Sequence, residues 1–148
     1  MGDHYDLFLS VRLQPGLSDE VMYEIRWHLG VEDEPPARFE SLPDDEEWFH
    51  GEPVPLFGRL APNYADDGVD MAEMMPSPDR YADGQQRWLL TLRQSVHEDE
   101  IGWAMDVAGW IVSKAETTGW VGFLHYGQEP VPDLLHHVDG RLQIGRPG

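Results

Sequence analysis

Apolar and polar positions alternate from the start of the chain. Tyr5, Leu7, Leu9, Val11 and Leu13 are interleaved with Asp6, Phe8, Ser10, Arg12 and Gln14, the two-residue period of a strand with one apolar face. Pro15 and Gly16 break the pattern. Ser18, Asp19 and Glu20 follow, a capping side chain and two negative charges suited to the positive end of a helix. Val21, Ile25 and His28, flanked by Met22 and Leu29, recur at helical spacing, and Gly30 is placed to stop the helix. The pattern predicts a strand over Tyr5–Leu13 and a helix over Ser18–Leu29.

The same succession returns later. Trp88, Leu90 and Leu92 alternate with Leu89, Thr91, Arg93 and Ser95, which predicts a strand over Arg87–Gln94. Ile101, Ala104, Ala108, Ile111 and Ala115, with Met105 and Val112, define one face of a helix over Glu98–Ala115. Trp120–Tyr126 then reads as an apolar strand. Ser10-Val11-Arg12 matches Thr91-Leu92-Arg93, and Asp19-Glu20-Val21 matches Asp99-Glu100-Ile101 one residue out of step. Strand and helix thus recur about 80 residues apart, a weak internal repeat.

Between the halves, residues 31–85 form an insertion rich in proline, glycine and acid, with Glu32-Asp33-Glu34 and Asp44-Asp45-Glu46-Glu47 as solvated runs. Within it Val54–Leu60 reads as a strand, kept to an edge by Pro53, Pro55 and Pro62. Trp48 and Phe49 are expected to tuck against the domain. Met71, Met74 and Met75 have helical spacing, which predicts a short helix ended by Pro76. After Tyr126, Asp139-Gly140 marks a C-terminal hairpin, with a short helix followed by a strand as the alternative. The element order from Tyr5 to Tyr126, insertion aside, is strand, helix, strand, strand, helix, strand. It resembles the ferredoxin-like βαββαβ arrangement, an antiparallel sheet with two helices on one face. The expectation is a single α+β domain over residues 1–148. Architecture of this kind hosts many unrelated functions.

Composition narrows the functional classes. The net charge is -18, from 28 acids against 10 lysines and arginines. Such a surface repels polyanions, so nucleic acid is not an expected partner. Cysteine is absent, which removes disulfides, thiolate metal sites and cysteine nucleophiles. No apolar run approaches the ~20 residues of a membrane helix, and Met1–Asp6 lacks a basic start followed by an apolar core. The expected location is cytoplasmic, with no membrane association.

The polar side of the first strand carries Ser10 and Arg12, and that of the later strand Thr91 and Arg93. As central neighbours these strands would present one surface on which two arginines hold a carboxylate or phosphate. Pairing of those arginines with Asp6 or with insertion carboxylates is the ordinary alternative. His125 and Tyr126, at a strand end, are candidates for acid–base work. His136 and His137 point to opposite faces of a strand, and the seven histidines lack dependable ligand spacing. No metal and no cofactor are implied. A second helical stripe, Trp103, Val107 and Trp110, lies opposite the predicted core face, with Tyr23 and Trp27 equivalent on the first helix. Large aromatics there need a cover, from the insertion or from a partner.

These features favour a non-catalytic binding or interaction protein that self-associates as a homodimer, with Tyr23, Trp27, Trp103 and Trp110 at the interface. One alternative is a small enzyme acting on an anionic small molecule at the polar sheet face. The other is an acidic inhibitor or immunity-type protein that engages a basic partner.

Overall fold

A computed structural model of the protein describes residues 4–42, 54–57 and 70–145. The elements are β1 (His4–Arg12), α1 (Asp19–His28), β2 (Met71–Pro76), β3 (Trp88–His97), a 3-10 turn (Glu98–Glu100), α2 (Ile101–Ser113), β4 (Gly119–Tyr126), β5 (Asp133–Val138) and β6 (Arg141–Gly145). The strands form one sheet in the spatial order β2-β3-β1-β4-β5-β6, with every neighbouring pair antiparallel. The chain is therefore an α+β protein with a six-stranded antiparallel sheet and two helices.

Local chemistry explains the element ends. The Val21 amide donates to Ser18 Oγ at 3.2 Å, satisfying one of the orphan donors of the first helical turn. At the other end Gly30 has φ +80°. Its amide bonds Trp27 O, and the Val31 amide bonds Arg26 O, the paired closure that a left-handed glycine permits. Asp139 and Gly140 both have positive φ and join β5 to β6 in a two-residue turn between Val138 and Arg141, the twist-matched hairpin turn.

One face of the sheet and the two helices share a core. Leu7, Leu9 and Val11 of β1 and Leu90 and Leu92 of β3 pack with Ile25 and Leu29 at α1. Ala104, Val107, Ala108, Ile111 and Val112 of α2 complete the cluster. The opposite face of the sheet is open to solvent at several side chains.

Three expectations need correcting. Val54–Phe57 is not a strand; Leu56 and Phe57 are buried, and the Phe57 amide bonds His28 O. Residues 58–60 of that stretch lie outside the described residues, as do the acidic run 44–47, Trp48 and Phe49. The added edge strand is instead Met71–Pro76, whose Ala72 and Met74 pack on the core while Met75 is exposed. Methionine spacing suggested a helix there, but the unpaired edge of β3 offers hydrogen bonds that outweigh weak local preference. Val107 and Trp27, assigned to the outer stripe, are buried at 0% and 2% exposure. The helices are covered on more than their sheet side, so their buried arcs are wider than one stripe.

At the centre of the sheet β4 makes a bulge between Trp120 and Gly122. A Cβ on Gly122 would lie 1.9 Å from Phe8 O and 2.9 Å from Phe8 C. Gly122→Ala is expected to force β1 and β4 apart and to cost about 1–3 kcal/mol as overpacking. Urea unfolding measures it; a shift below about 0.5 kcal/mol would mean that the backbone yields freely.

Candidate functional site

The open face of the sheet is built by the outward residues of β1, β3 and β4. Ser10 lies opposite Thr91, and their hydroxyls bond at 3.0 Å. Arg93 lies opposite Phe8, and Arg12 opposite Leu89. The two arginines are thus four residues apart along the β1 direction, about 14 Å at strand rise. The internal repeat accounts for this. Its two copies run antiparallel about the Ser10/Thr91 pair, so the arginines fall on opposite sides of it.

Each arginine has an acid partner. Arg93 Nη2 donates to Asp6 Oδ2 at 2.7 Å, with both side chains about four-fifths buried. Arg93 Nη1 and Asp6 Oδ1 are buried and make no hydrogen bond among the described residues. Arg12 Nε donates to Glu116 Oε1 at 2.7 Å, and its guanidinium lies 5.5 Å from the Tyr81 ring centre. Buried Arg87 meets the same ring at 4.5 Å, donates to Glu116 from Nε, and grips both oxygens of Asp83 at 2.8 Å. The Arg87 guanidinium, helped by the Gln85 amide, holds the Asp83 carboxyl down to about 2.

Beside Arg93 the face turns aromatic. Phe8 stacks on Phe123 at 5.4 Å and 19°, and on Trp120 at 6.3 Å and 26°. Trp120 is 54% exposed, and it is the one aromatic in the exposed class among the described residues. Strict alternation along β4 would place Trp120 on the same side as Gly122 and Leu124. The bulge reverses it: Gly122 pairs with inward Leu9 and Leu135, whereas Trp120 pairs with His136. Phe8 was visible in the sequence as an aromatic on a polar face. Trp120 had no signal, because a bulge is set by strand packing.

The acid–base candidates do not converge. His125 and Tyr126 are consecutive strand residues and project to opposite faces. His125 Nε2 donates to the Glu129 carbonyl at 2.7 Å, whereas Tyr126 lies against Tyr5 with ring centres 5.0 Å apart. His137 Nδ1 bonds the Thr117 carbonyl, and its Nε2 accepts from the Gly140 amide at 3.1 Å; the ring staples the β5–β6 turn. Among the described residues no group of three or more His, Asp or Glu is placed to hold a metal ion.

The helical aromatics are engaged by residues 34–42. Tyr23 Oη donates to Glu34 O at 2.7 Å, Trp27 meets Phe39 edge-on at 5.1 Å, and Trp110 Nε1 donates to Glu40 Oε2 at 2.7 Å. Trp103 is half-buried against the core. Between the first turns of α1 and Pro35–Leu42 runs a groove of about 940 Å³, lined by Asp19, Glu20, Glu24, Glu40 and Arg38 among others. Buried Glu24 and His28 on α1, with Ser41 beside them, resemble a catalytic triad only in composition. One ring nitrogen, His28 Nε2, contacts both Glu24 and Ser41 at 3.0 Å, whereas a relay needs the acid and the hydroxyl on different nitrogens.

No family model, no curated protein and no solved structure matches the chain. No described helix is long and apolar enough to cross a membrane.

The Asp6–Arg93 pair separates a structural arginine from a ligand-holding one. Arg93→Gln leaves a largely buried carboxylate without its cation and is expected to cost about 1–3 kcal/mol. Denaturant unfolding with the Asp6→Asn/Arg93→Gln double-mutant cycle checks it; a coupling near zero would release Arg93 for a ligand role.

Proposed function

We propose that this protein is a non-catalytic binding protein that self-associates through the open face of its sheet. The observation that carries this reading is Trp120, exposed and stacked on Phe8 beside the paired charges of β1 and β3. The helical stripe is less suited to an interface, because Tyr23, Trp27 and Trp110 already have intramolecular partners. Charge supports a second copy as the occupant. The chain carries -18, yet on this face Asp6 is matched by Arg93 and Glu116 by Arg12. Exposed Glu73 on β2 and Arg141 on β6, toward the two edges of this face, are of opposite sign and leave it without net charge. A near-neutral apolar area is where two acidic molecules meet with least repulsion. Five inter-strand spacings by a strand length of ~25 Å give about 600 Å² per partner. That lies at the lower end of specific interfaces and implies a weak dimer. The accompanying fold reading is a ferredoxin-like βαββαβ unit extended by a C-terminal hairpin, since β1 and β3 are central neighbours in the run β2-β3-β1-β4.

Sedimentation velocity across the micromolar range tests the proposal. Wild type is expected to dimerise, more tightly as salt screens the net repulsion, and Trp120→Asp to be monomeric. A wild-type monomer at every salt concentration, or a dimer indifferent to Trp120→Asp, would sink it.

A small anionic ligand is the second reading, favoured by one observation. The Arg12 side chain is 40% exposed and uses only Nε on Glu116, its terminal nitrogens making no hydrogen bond among the described residues. Calorimetric titration with inorganic phosphate is expected to show a millimolar site that Arg12→Gln removes. No saturation below about 10 mM would exclude it.

A further inference from the structure

Residues 38–42 have no helix or strand, yet both helices hold them. From α1, Glu24, 2% exposed, accepts the Glu40 amide on Oε1 at 2.6 Å and the Ser41 amide on Oε2 at 3.1 Å. His28 Nε2 stands 3.0 Å from the same Oε2. A carboxylate only accepts, so His28 donates there. From the α2 side, Trp110 Nε1 and Lys114 Nζ reach Glu40 Oε2 at 2.7 and 3.0 Å. The Phe39 ring lies on Trp27 and 5.9 Å from the ring centre of His28, and Leu42 is buried in the core. These polar contacts converge on two carboxylates. Beneath them lie the indoles of Trp27 and Trp110, on adjacent helices.

We propose that Arg38–Leu42 is an acid-released strap: protonation of Glu24 and Glu40 loosens it from the helices and opens an aromatic slot at Trp27 and Trp110.

The groups that face the carboxylates support this direction. They are His28 from α1, Lys114 and Trp110 from α2, and the strap's own amides and Ser41 hydroxyl; Glu24 and Glu40 also repel each other. All of these partners are donors, and none loses its hydrogen as pH falls. The two carboxylates are the groups that lose acceptor capacity. Burial pushes the Glu24 carboxyl up, but bonds from His28, Ser41 and the two strap amides outweigh it and hold the group below 4.5. Lys114 and Trp110 hold Glu40 below 4.5 as well. Both folded values are depressed, so the stabilisation is complete above the unfolded value. It is lost as pH falls through 4.5 and then through the folded values. The ladders of β1 with β3 and β4 are backbone hydrogen bonds and do not titrate, so the strap has a reason to open before the sheet.

Amide hydrogen exchange by NMR, corrected for intrinsic rates, tests the strap on the full chain. Protection at the Glu40 and Ser41 amides is expected to fall at least tenfold between about pH 5.5 and 3.5 while Leu7 and Leu9 stay protected. Glu24→Gln is expected to lower strap protection already at neutral pH and to remove most of its pH dependence. Glu40→Gln, on the more exposed side, is expected to produce a smaller loss and keeps the test available should Glu24→Gln fail to fold. Strap amides that track Leu7 and Leu9 at every pH would overturn the proposal, as would a pH dependence that survives both substitutions.

Discussion

Gly122 lets β4 approach β1 more closely than any side chain permits, and the form of the open sheet face follows from that contact. The position of an added Cβ, 1.9 Å from Phe8 O, leaves room for hydrogen alone. The bulge beside it sends Val121 into the core at 1% exposure and keeps Trp120 on the solvent side. Phe8 and Phe123, opposite each other in the register, then gain a third ring. Without the bulge, alternation would direct Trp120 toward the helices, and the open face would lose its exposed aromatic. One backbone irregularity thus decides between an interior tryptophan and a surface one.

Charge is arranged on the same principle of local matching inside global imbalance. Five cations at or beside the central strands and the helices are closely partnered: Arg12 and Arg87 by Glu116, Arg87 also by Asp83, Arg93 by Asp6, Lys114 by Glu40 and Arg26 by Glu32, whereas Arg141 on β6 is exposed. The surplus of acid therefore lies away from these pairs. Partly buried pairs of this kind hold neighbouring segments in register, and breaking one leaves a costly unmatched charge. Among the described residues the cations of β1 and β3 are thus held by acids of the chain itself.

The long stretch between the two halves is structural as well as connecting. Met71–Pro76 completes the sheet on the β3 side, and buried Asp70 anchors its entry by accepting from the Ser95 amide at 2.9 Å and Gln94 Nε2 at 3.1 Å. Residues 34–42 engage the helical aromatics. Leu56 and Phe57 close the end of α1. A stretch that looks like a solvated insertion by composition is the part that covers what the helices and sheet leave open.

Local periodicity was enough for three strands (β1, β3 and β4) and two helices, for the Ser18 cap, the Gly30 stop and the Asp139-Gly140 hairpin. In each case the determining physics acts within a few residues: alternation, helical spacing, a capping hydroxyl, a left-handed backbone. That the polar sides of β1 and β3 share one surface also followed from the sequence, but that Ser10 meets Thr91 is a matter of register. Tertiary structure decided the rest. Met71–Pro76 became a strand because β3 had an edge to fill, against the spacing of its methionines. Trp27 and Val107 were buried by covering segments that no helical wheel contains. Arg12 and Arg93 were separated, and Trp120 was turned outward, by the register and bulge of strands that meet only after distant parts of the chain have packed.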